Sequence, residues 1–402
     1  MIQNTSLDTF LEQIDLNLIG SIGVLCNQTA FSFNKRRYLL QLLHDRGVLK
    51  KAFIPEHGLF AELQDQEHLD ITELYNDFLP GIPFFSLYQS DKENSLQVPA
   101  DELMNLDALV IDLQDVGSRY YTYLSTLNYL FKTVAKQFPE LPIFILDRKN
   151  PSGRQIEGSV MPSDYTSFVG LEGLPHRHGL TIGEMATYFS TSTGHNLKIK
   201  VIDGENYQEL PIAPSPNIPE LETCLLYPGQ CLVEGTILSE GRGTTKPFQL
   251  IGAPFLNWSD LTHIGHKMEE AIKPYDFINR GVILRPLIFI PKFHKWTDQH
   301  CFGFQLHLTG LPFHSLLYSA ILLRIISEIK FDRDIWRKGS YEYGNVRTAI
   351  ELLAGDRELL YFLQGKVELR HLVSHFAETE NEWITTVKNY FGNSLPVYSL
   401  IK

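Results

Sequence analysis

Cysteine is scarce in this sequence, and long apolar runs are missing. Four cysteines in 402 residues, none of them in a C-x-x-C pair, exclude a disulfide scaffold and a cysteine-based zinc site. No apolar run approaches the roughly 18 residues that a membrane-spanning helix needs. The amino terminus carries acidic residues where a signal peptide would carry Lys or Arg. We therefore predict a cytoplasmic protein, or a secreted or periplasmic one if that terminus has been processed.

An excess of positive charge is also lacking. The chain has 35 basic and 47 acidic residues, which give a formal net charge of −12. This balance argues against nucleic acid and against anionic membrane surfaces as partners, although one anionic ligand would need only a local arginine. Nothing in the composition indicates an oligomeric state.

The motifs of several enzyme classes are absent as well. The chain has no Walker loop, no G-x-S-x-G elbow and no G-x-G-x-x-G after its first predicted strand, so we predict no cofactor. His176 and His178 have the spacing of a metal-binding pair, but no third ligand accompanies them and we predict no metal. A metal-dependent hydrolase that uses these two residues and His57 stays open as an alternative.

Apolar strands alternate with amphipathic helices over the first 150 residues. This order predicts an α/β fold with a mostly parallel sheet and helices on both faces. The predicted strands are residues 19–25, 49–54, 82–88, 108–113, 141–146 and 197–202. Four prolines in residues 211–219 predict a stiff connector between domains. We therefore expect an α/β domain at 1–210 and a smaller α+β domain at 211–402.

Polar clusters follow four of the predicted strands. Because the carboxyl ends of parallel strands open on one edge of a sheet, where ligands bind, we expect these clusters to converge. They are Asn27 with Gln28, Glu56 with His57, Gln114 with Asp115 and Arg119, and Asp147 with Arg148 and Asn150. One edge of the sheet is therefore the predicted location of a binding site.

Residues 224–255 are rich in glycine, which predicts a loop-rich segment without a long helix. The segment contains two short apolar stretches predicted to be strands, 232–233 and 237–238. Glu234, Glu240 and Arg242 stand among the glycines, and a pair of glutamates in such a setting indicates acid/base chemistry. The alternative is a turn-rich surface segment in which Arg242 pairs with Glu240.

Carbohydrate hydrolysis fits these candidate residues, which are carboxylates, amides, histidines, arginines and tyrosines. They occur without a nucleotide loop or an obvious metal cage. That reaction needs two carboxyl groups, one protonated through burial and one ionised. Glu56 is the candidate acid, and Glu234 or Glu240, from the second domain, is its partner. We expect the active site in a cleft between the two domains, where closure would expel water. Ring surfaces that hold sugar hydroxyls are expected from Tyr88, Tyr120 and Tyr121.

Several longer motifs occur along nearly the whole chain, from about Val24 to Tyr343. They are PEHGLF at 55–60, DLQDVGSRYYTY at 112–123, DRKNP at 147–151, RHG at 177–179, PSPNIP at 214–219, YPG at 227–229, EGT at 234–236, SEGRGTT at 239–245 and GAP at 252–254. In order and content they resemble the exo-β-N-acetylmuramidase (NamZ type) family, long catalogued as a domain of unknown function.

The resemblance implies release of terminal β-1,4-linked N-acetylmuramic acid from the non-reducing end of peptidoglycan fragments, with muropeptides or disaccharides as partners. It also implies a Rossmann-like domain, a smaller second domain and a site in the cleft between them. It favours Glu56 as the catalytic acid/base and Glu234 ahead of Glu240 as the second carboxylate. Because N-acetylmuramic acid carries a lactyl carboxylate, Arg119 and Arg242 are the candidates for gripping it. Further substrate contacts are expected from Asn27, His57, Gln114, Asp115, Tyr120, His178 and Asn217.

Two features depart from the pattern of that family. Many relatives carry a secretion signal that this sequence does not show, which favours intracellular recycling of imported muropeptides from the cell wall. The proline-rich connector is shortened just before Pro214, which leaves the fine specificity open. Retaining, inverting and substrate-assisted mechanisms stay open, as does a non-catalytic muropeptide-binding protein.

Overall fold

The structure, a computed structural model, describes residues 4–64, 71–87, 97–167, 169–205, 211–339 and 346–401. The chain forms two compact units that interleave in sequence. The first comprises Met1–Val116, Tyr121–Gly153 and Leu180–Pro219, and the second comprises Gly117–Tyr120, Arg154–Gly179 and Glu220–Lys402. The expected domain bounds, 1–210 and 211–402, stay a prediction, because the two units take short segments from both sides of that boundary. Tyr88 lies outside the described residues.

The first unit is built on a six-stranded parallel sheet. Its strands are β1 (Ile22–Cys26), β4 (Leu49–Ile54), β5 (Phe84–Ser86), β6 (Ala108–Asp112), β7 (Ile143–Leu146) and β8 (Ile199–Ile202), while β2 (Phe31–Ser32) and β3 (Arg37–Tyr38) form a separate hairpin. The spatial order is β5-β4-β1-β6-β7-β8. Counting only these strands along the chain, this is the 3-2-1-4-5-6 order of Rossmann-like folds, which confirms the predicted class.

Helices surround this sheet because its central strands β1, β6 and β7 are buried along their whole length and must be covered on both faces. They are α1 (Ser6–Gln13), α2 (Leu39–Asp45), α3 (Ile71–Asn76), α4 (Ala100–Leu103), α5 (Tyr123–Gln137) and α6 (Ile182–Ser192). One buried cluster joins α1 to the sheet through Leu7, Phe10, Val24, Val110 and Phe144. The fixed strands place the polar residues that follow them at the carboxyl edge of the sheet.

The second unit combines a three-stranded antiparallel sheet with helices, which confirms the predicted α+β class. Its strands are β9 (Leu250–Ala253), β10 (Val282–Phe289) and β11 (Cys301–Leu308), in the spatial order β10-β11-β9. Its helices are α7 (Leu221–Gln230), α8 (Trp258–Ile272), α9 (Asp276–Asn279), α10 (Ser315–Ile329), α11 (Ala349–Ala354), α12 (Arg357–Leu363) and α13 (Leu369–Phe391). Within the described ranges, every helix is too short or too polar to cross a bilayer.

The glycine-rich segment 224–255 differs from its prediction. Helix α7 contains both Pro228 and Gly229, and a 3₁₀ segment follows it directly. Two predicted strands are therefore wrong, 232–233 and 237–238. Gly229 is accommodated because α7 approaches α10 closely: a Cβ at this position would lie 2.1 Å from the carbonyl oxygen of Ser315. Packing of the two helices thus overrides the weak helix propensity of proline and glycine.

Candidate active site

Glu56 stands just beyond the carboxyl end of β4, as the sequence predicts. A tight turn follows it, in which His57 and Gly58 have φ angles of 74° and 86°. Such left-handed angles are unusual for a residue other than glycine. The Glu56 residue is 7% exposed, and its Oε2 accepts a hydrogen bond of 2.6 Å from the Thr122 hydroxyl. The turn and Thr122 together fix a carboxyl group that has little contact with water. His57 Nδ1 lies 3.2 Å from the carbonyl oxygen of Leu63.

Asn27 and Gln28, at the end of β1, hold the proline-rich segment. Asn27 Nδ2 donates to the carbonyl oxygen of Pro214 at 3.1 Å and to the Tyr123 hydroxyl at 2.8 Å. Gln28 Nε2 donates to the carbonyl oxygen of Ala213 at 2.6 Å. Asn27 is also completely buried. These contacts position the proline-rich segment, and the expected contact of Asn27 with a substrate stays a prediction.

Three other residues expected to bind substrate are mostly buried in the first unit. Gln114 Nε2 donates to the carbonyl oxygens of Asp115 and Lys149 at 2.8 and 3.1 Å. Asn217 Nδ2 donates to Gln64 Oε1 at 3.1 Å. Gln114, Asp115 and Asn217 are 8%, 3% and 6% exposed, so each keeps a small accessible edge. Their contact with a substrate stays a prediction.

Asp147, after β7, accepts hydrogen bonds from the start of α6. The Thr181 hydroxyl donates to Oδ2 at 2.9 Å, and the backbone N–H of Gly183 donates to Oδ1 at 2.7 Å. Burial raises the pKa of Asp147 to about 6, although these donors oppose the rise. Its neighbour in sequence, Arg148, donates from Nε to Asp112 Oδ1 at 2.7 Å. Asp147 and Arg148 thus both stabilise the sheet edge itself.

Arg119 is completely buried in the second unit and is surrounded by carbonyl oxygens. Its Nη1 donates to the carbonyl oxygens of Ser159 and Leu174 at 3.0 and 3.2 Å, and its Nη2 donates to that of Ala354 at 2.7 Å. Burial lowers the pKa of Arg119 to about 10. The guanidinium has no exposed surface and ties segments of its own unit together. The expected grip of Arg119 on a lactyl carboxylate stays a prediction.

His176 and His178 are also completely buried. His176 Nε2 lies 2.8 Å from Arg119 Nη2 and 2.9 Å from the carbonyl oxygen of Ala354. Burial and the charge of Arg119 lower the pKa of His176 well below its ordinary value, so the imidazole is neutral. A cation at this nitrogen would meet the guanidinium charge, which disfavours a His176–His178 metal pair. Among the residues described, no group of three or more His, Cys, Asp or Glu is arranged to hold a metal ion.

Tyr120 packs in the interior of the second unit. It is 2% exposed, and its hydroxyl donates to the carbonyl oxygen of Pro228 at 3.3 Å. Its ring meets that of Tyr227 edge-on, with 6.1 Å between the centroids. Burial raises the pKa of Tyr120 well above its ordinary value. These contacts pack Tyr120 within the second unit, and its expected contact with a substrate stays a prediction.

Glu234, Glu240 and Arg242 come together in the second unit. Arg242 Nη2 donates to Glu234 Oε1 at 2.7 Å, and Arg242 Nε lies 3.5 Å from Glu240 Oε1. The guanidinium also lies over the ring of Phe248, 5.3 Å from its centroid. Glu234 and Arg242 are each 7% exposed and Glu240 is fully buried, so the alternative of a turn-rich surface segment is wrong. The cluster is a buried group of charges in which one guanidinium serves two carboxylates.

Glu240 has two further basic neighbours, on the loop between β10 and β11. Lys295 Nζ donates to Glu240 Oε2 at 2.9 Å, and His294 Nδ1 lies 3.0 Å from Glu240 Oε1. Burial raises the pKa of Glu240, but the charge of Lys295, the hydrogen bond from His294 and the charge of Arg242 outweigh burial and hold the pKa below its usual range. Glu240 is therefore ionised, and it has no exposed surface. Its catalytic role stays a prediction, as does the choice between Glu234 and Glu240 as the second carboxylate.

Two family models, which describe the N-terminal and C-terminal parts of the exo-β-N-acetylmuramidase NamZ, match this chain. The first matches residues 22–222 and the second matches residues 225–392. The chain belongs to the exo-β-N-acetylmuramidase NamZ family. The resemblance drawn from the sequence motifs is confirmed, and with it the assignment of the chain to a family of glycosidases.

Relatives of this NamZ-family chain include one named enzyme and two proteins with solved structures. The peptidoglycan β-N-acetylmuramidase NamZ of Bacillus subtilis (strain 168) is 31% identical over 399 residues, which cover 96% of this chain and 90% of that protein. A DUF1343 family protein from Bacteroides fragilis NCTC 9343 has a TM-score of 0.78 at 22% identity, covering 97% of this chain and 98% of its own. A second from the same organism has a TM-score of 0.71 at 24% identity, covering 96% and 97%. At these identities the two crystal structures support the fold alone.

The sequence did not single out three neighbours of the NamZ-family glutamates: Thr122, His294 and Lys295. Thr122 lies inside the motif DLQDVGSRYYTY that carries the family resemblance, and that position was the available signal. His294 and Lys295 lie in the loop PKFHKWTDQH, at 291–300. The available signal in that loop was its composition, with two lysines, two histidines and a tryptophan between two strands. Nothing in the spacing connects that loop to Glu240, which is distant in sequence.

Proposed function

We propose that this chain is an exo-β-N-acetylmuramidase that releases terminal β-1,4-linked N-acetylmuramic acid from the non-reducing end of peptidoglycan fragments. The observation that carries the proposal is the 31% identity to the Bacillus subtilis β-N-acetylmuramidase along 96% of this chain. Muropeptides or disaccharides derived from peptidoglycan are the proposed substrates.

Glu56 is the proposed proton donor. Among the residues described, Thr122 is the one hydrogen-bond partner of its side chain, and the residue is 7% exposed. A poorly hydrated carboxyl group of this kind is suited to carry a proton to the glycosidic oxygen. In the reaction, the bond between the anomeric carbon and that oxygen breaks, and the oxygen takes the proton from Glu56. Water finally adds its hydroxyl group to the anomeric carbon and gives its remaining proton to a carboxylate of the site.

Glu234 is the proposed ionised carboxylate. Its hydrogen bond from Arg242 stabilises a negative charge. Because Arg242 is shared with Glu240, its charge is already balanced, so a third carboxylate from the lactyl group would gain little from it. We therefore assign Arg242 to the positioning of Glu234. Product stereochemistry by NMR separates the routes: retention requires attack by Glu234 or by the acetamido group of the substrate, and inversion requires direct attack by water.

The test is incubation with a disaccharide capped by N-acetylmuramic acid, with the products identified by mass. The Glu56→Gln variant should lose about 10²- to 10⁴-fold in turnover while it still binds the disaccharide. Glu184→Gln is the matched control in the same unit, because Glu184 closes a capping box on Thr181 and glutamine serves that position equally well.

Three outcomes would contradict the proposal. Undiminished turnover by Glu56→Gln would remove Glu56 from the mechanism. Tight binding without product by the wild-type protein would favour the non-catalytic muropeptide-binding alternative. Loss of turnover in chelator, restored by added metal, would favour the metal-dependent alternative.

A further inference from the structure

The loop between β10 and β11 is held in a costly backbone conformation. His294, Trp296 and Asp298 have φ angles of 68°, 60° and 60°, in the left-handed region that residues other than glycine rarely adopt. Such angles persist only where surrounding contacts hold them, and they concentrate at functional sites. Trp296 supplies one such contact, since its Nε1 donates to the carbonyl oxygen of Ile237 at 2.6 Å. The loop is therefore fastened to the segment that carries Glu234 and Glu240.

Lys295 supplies the other fastening, with all three of its ammonium donors. Its Nζ donates to the carbonyl oxygens of Val233 and Leu238 at 3.1 and 3.0 Å, and to Glu240 Oε2 at 2.9 Å. An ammonium group has three donors and no acceptor, so this set is complete. Two of the three acceptors flank Glu234 in sequence, and the third is the carboxylate that shares Arg242 with Glu234.

Lys295 brings a second full positive charge to this cluster. Glu234 and Glu240 contribute two negative charges, and Arg242 and Lys295 contribute two positive ones. With Lys295 in place, Arg242 makes its closer contact with Glu234, at 2.7 Å, and its longer contact with Glu240, at 3.5 Å. Without Lys295, Glu240 would lose its ammonium partner and would draw more strongly on the guanidinium of Arg242.

We propose that Lys295 is a positioning residue for the proposed hydrolysis, because it neutralises Glu240 and so leaves Arg242 to hold Glu234 as an ionised carboxylate. This inference rests on the proposed function and adds a residue to it. Lys295 does not touch the substrate; it acts through Glu240 and Arg242.

Several titratable groups surround the two glutamates and bear on any pH effect. Tyr227 and Cys231 lie near Glu234, and burial raises the pKa of each well above its ordinary value, so both are neutral. Arg242, Lys295 and His294 are basic groups that contact one or both of the two carboxylates. His294 contacts Glu240 from the same loop as Lys295, so its variant belongs in the test.

The test compares the pH dependence of kcat/KM in variants of the loop. The acid limb is the part of the pH profile in which kcat/KM falls as the pH is lowered. Lys295→Met should move this limb to higher pH by roughly one unit, because Glu234 loses part of the positive charge that stabilises its ionised form. Glu240→Gln should move the same limb downward, because Lys295 then adds an unbalanced positive charge. Lys292→Met is the control on the same loop: its Nζ pairs with Asp298 and its side chain is 71% exposed, so the profile should not move.

The double variant Lys295→Met/Glu240→Gln separates the charge effect from simple loss of packing. It removes one positive and one negative charge, so its acid limb should return to that of the wild type. If Lys295→Met does not fold, the opposite displacement in Glu240→Gln and its reversal in the double variant still decide the matter. His294→Gln, which leaves Lys295 in place, should keep the limb near its wild-type position.

Two results would overturn the inference. One is an acid limb that stays fixed in both single variants while kcat falls, since Lys295 would then only tie two carbonyl groups. The other is a double variant whose acid limb is displaced as far from that of the wild type as the limb of the more strongly displaced single variant. Absence of any N-acetylmuramic acid release by the wild-type protein would instead contradict the proposed function, so the two failures are distinguishable.

Discussion

Replacing Glu380 by alanine should lower the free energy of unfolding of the second unit by about 3–5 kcal/mol. Glu380 lies in α13 and is completely buried. Its Oε1 accepts hydrogen bonds from the backbone N–H of Gly158 at 2.9 Å and from His314 Nε2 at 2.8 Å. Its Oε2 accepts from the Ser399 hydroxyl. One carboxylate thus joins a helix, a loop, the start of α10 and the carboxyl-terminal segment.

The magnitude follows from these contacts. Each hydrogen bond to a charged group contributes about 1.5–3 kcal/mol, and truncation leaves Gly158 N–H and His314 buried without that acceptor. Burial lowers the pKa of His314, but the charges of Glu380 and Glu157 outweigh burial and raise it above its ordinary 6.5. A pKa raised in the folded state adds stability below about pH 6.5, and this stability is lost as the pH rises through the raised value. The cost of Glu380→Ala should therefore be largest in mildly acidic buffer.

The assay is urea-induced unfolding followed by circular dichroism, at several pH values. Glu382→Ala is the matched control, because Glu382 lies on the exposed side of the same helix and loses the same atoms. The control should cost less than about 1 kcal/mol. Equal destabilisation by the two variants at every pH would refute the reasoning, since burial and the ion pair would then contribute nothing.

Two further predictions concern the first unit and the packing of α7. The unfolding free energy of Asp147→Asn should rise relative to that of the wild type by about 3 kcal/mol as the pH increases from about 4 to about 7. The reason is that the pKa of Asp147 is raised to about 6, so its ionised form is disfavoured in the folded state. A difference in unfolding free energy that does not change with pH would contradict this. Gly229→Ala should lower the unfolding midpoint, because its Cβ would lie 2.1 Å from the carbonyl oxygen of Ser315. Gly265→Ala is the control, because Gly265 lies in α8 and nothing lies within 4 Å of the added Cβ. It should raise the unfolding midpoint, since alanine has a helix propensity about 0.5–1 kcal/mol more favourable than that of glycine. A lower midpoint in both variants would show that the close approach to Ser315 is not the cause.

The parallel sheet could be predicted because its strands are short, mainly apolar runs, and the central ones are buried on both faces. Residues 49–54 were expected as a strand and form β4 (Leu49–Ile54), and 108–113 were expected and form β6 (Ala108–Asp112). Strand ends fixed in this way also fix the polar residues that follow them. The position of Glu56 at the carboxyl edge of the sheet is therefore a consequence of local pattern alone.

Helix α7 could not be predicted in the same way. Pro228 and Gly229 are breaking signals in a local reading, and they are tolerated only because α10 packs on that side of the helix. The segment after it makes an isolated bridge between Thr236 and Trp336 and is not part of a named strand, and two of its carbonyl groups accept hydrogen bonds from Lys295. A side chain that is remote in sequence thus decides the local backbone, which no window of neighbouring residues can reveal.

Arg119 and Arg242 illustrate why the candidate site was only partly predictable. Each stands in a polar, glycine-containing motif, and both were expected to have the same role. The difference lies in acceptors supplied from far along the chain: Arg119 faces neutral carbonyl groups, whereas Arg242 faces the carboxylates of Glu234 and Glu240. A guanidinium among carbonyl groups only ties segments together. A guanidinium between two carboxylates belongs to a charge balance, and any residue that enters this balance acts on Glu234. The second unit therefore makes the state of one glutamate depend on Lys295, a residue that never needs to approach the substrate.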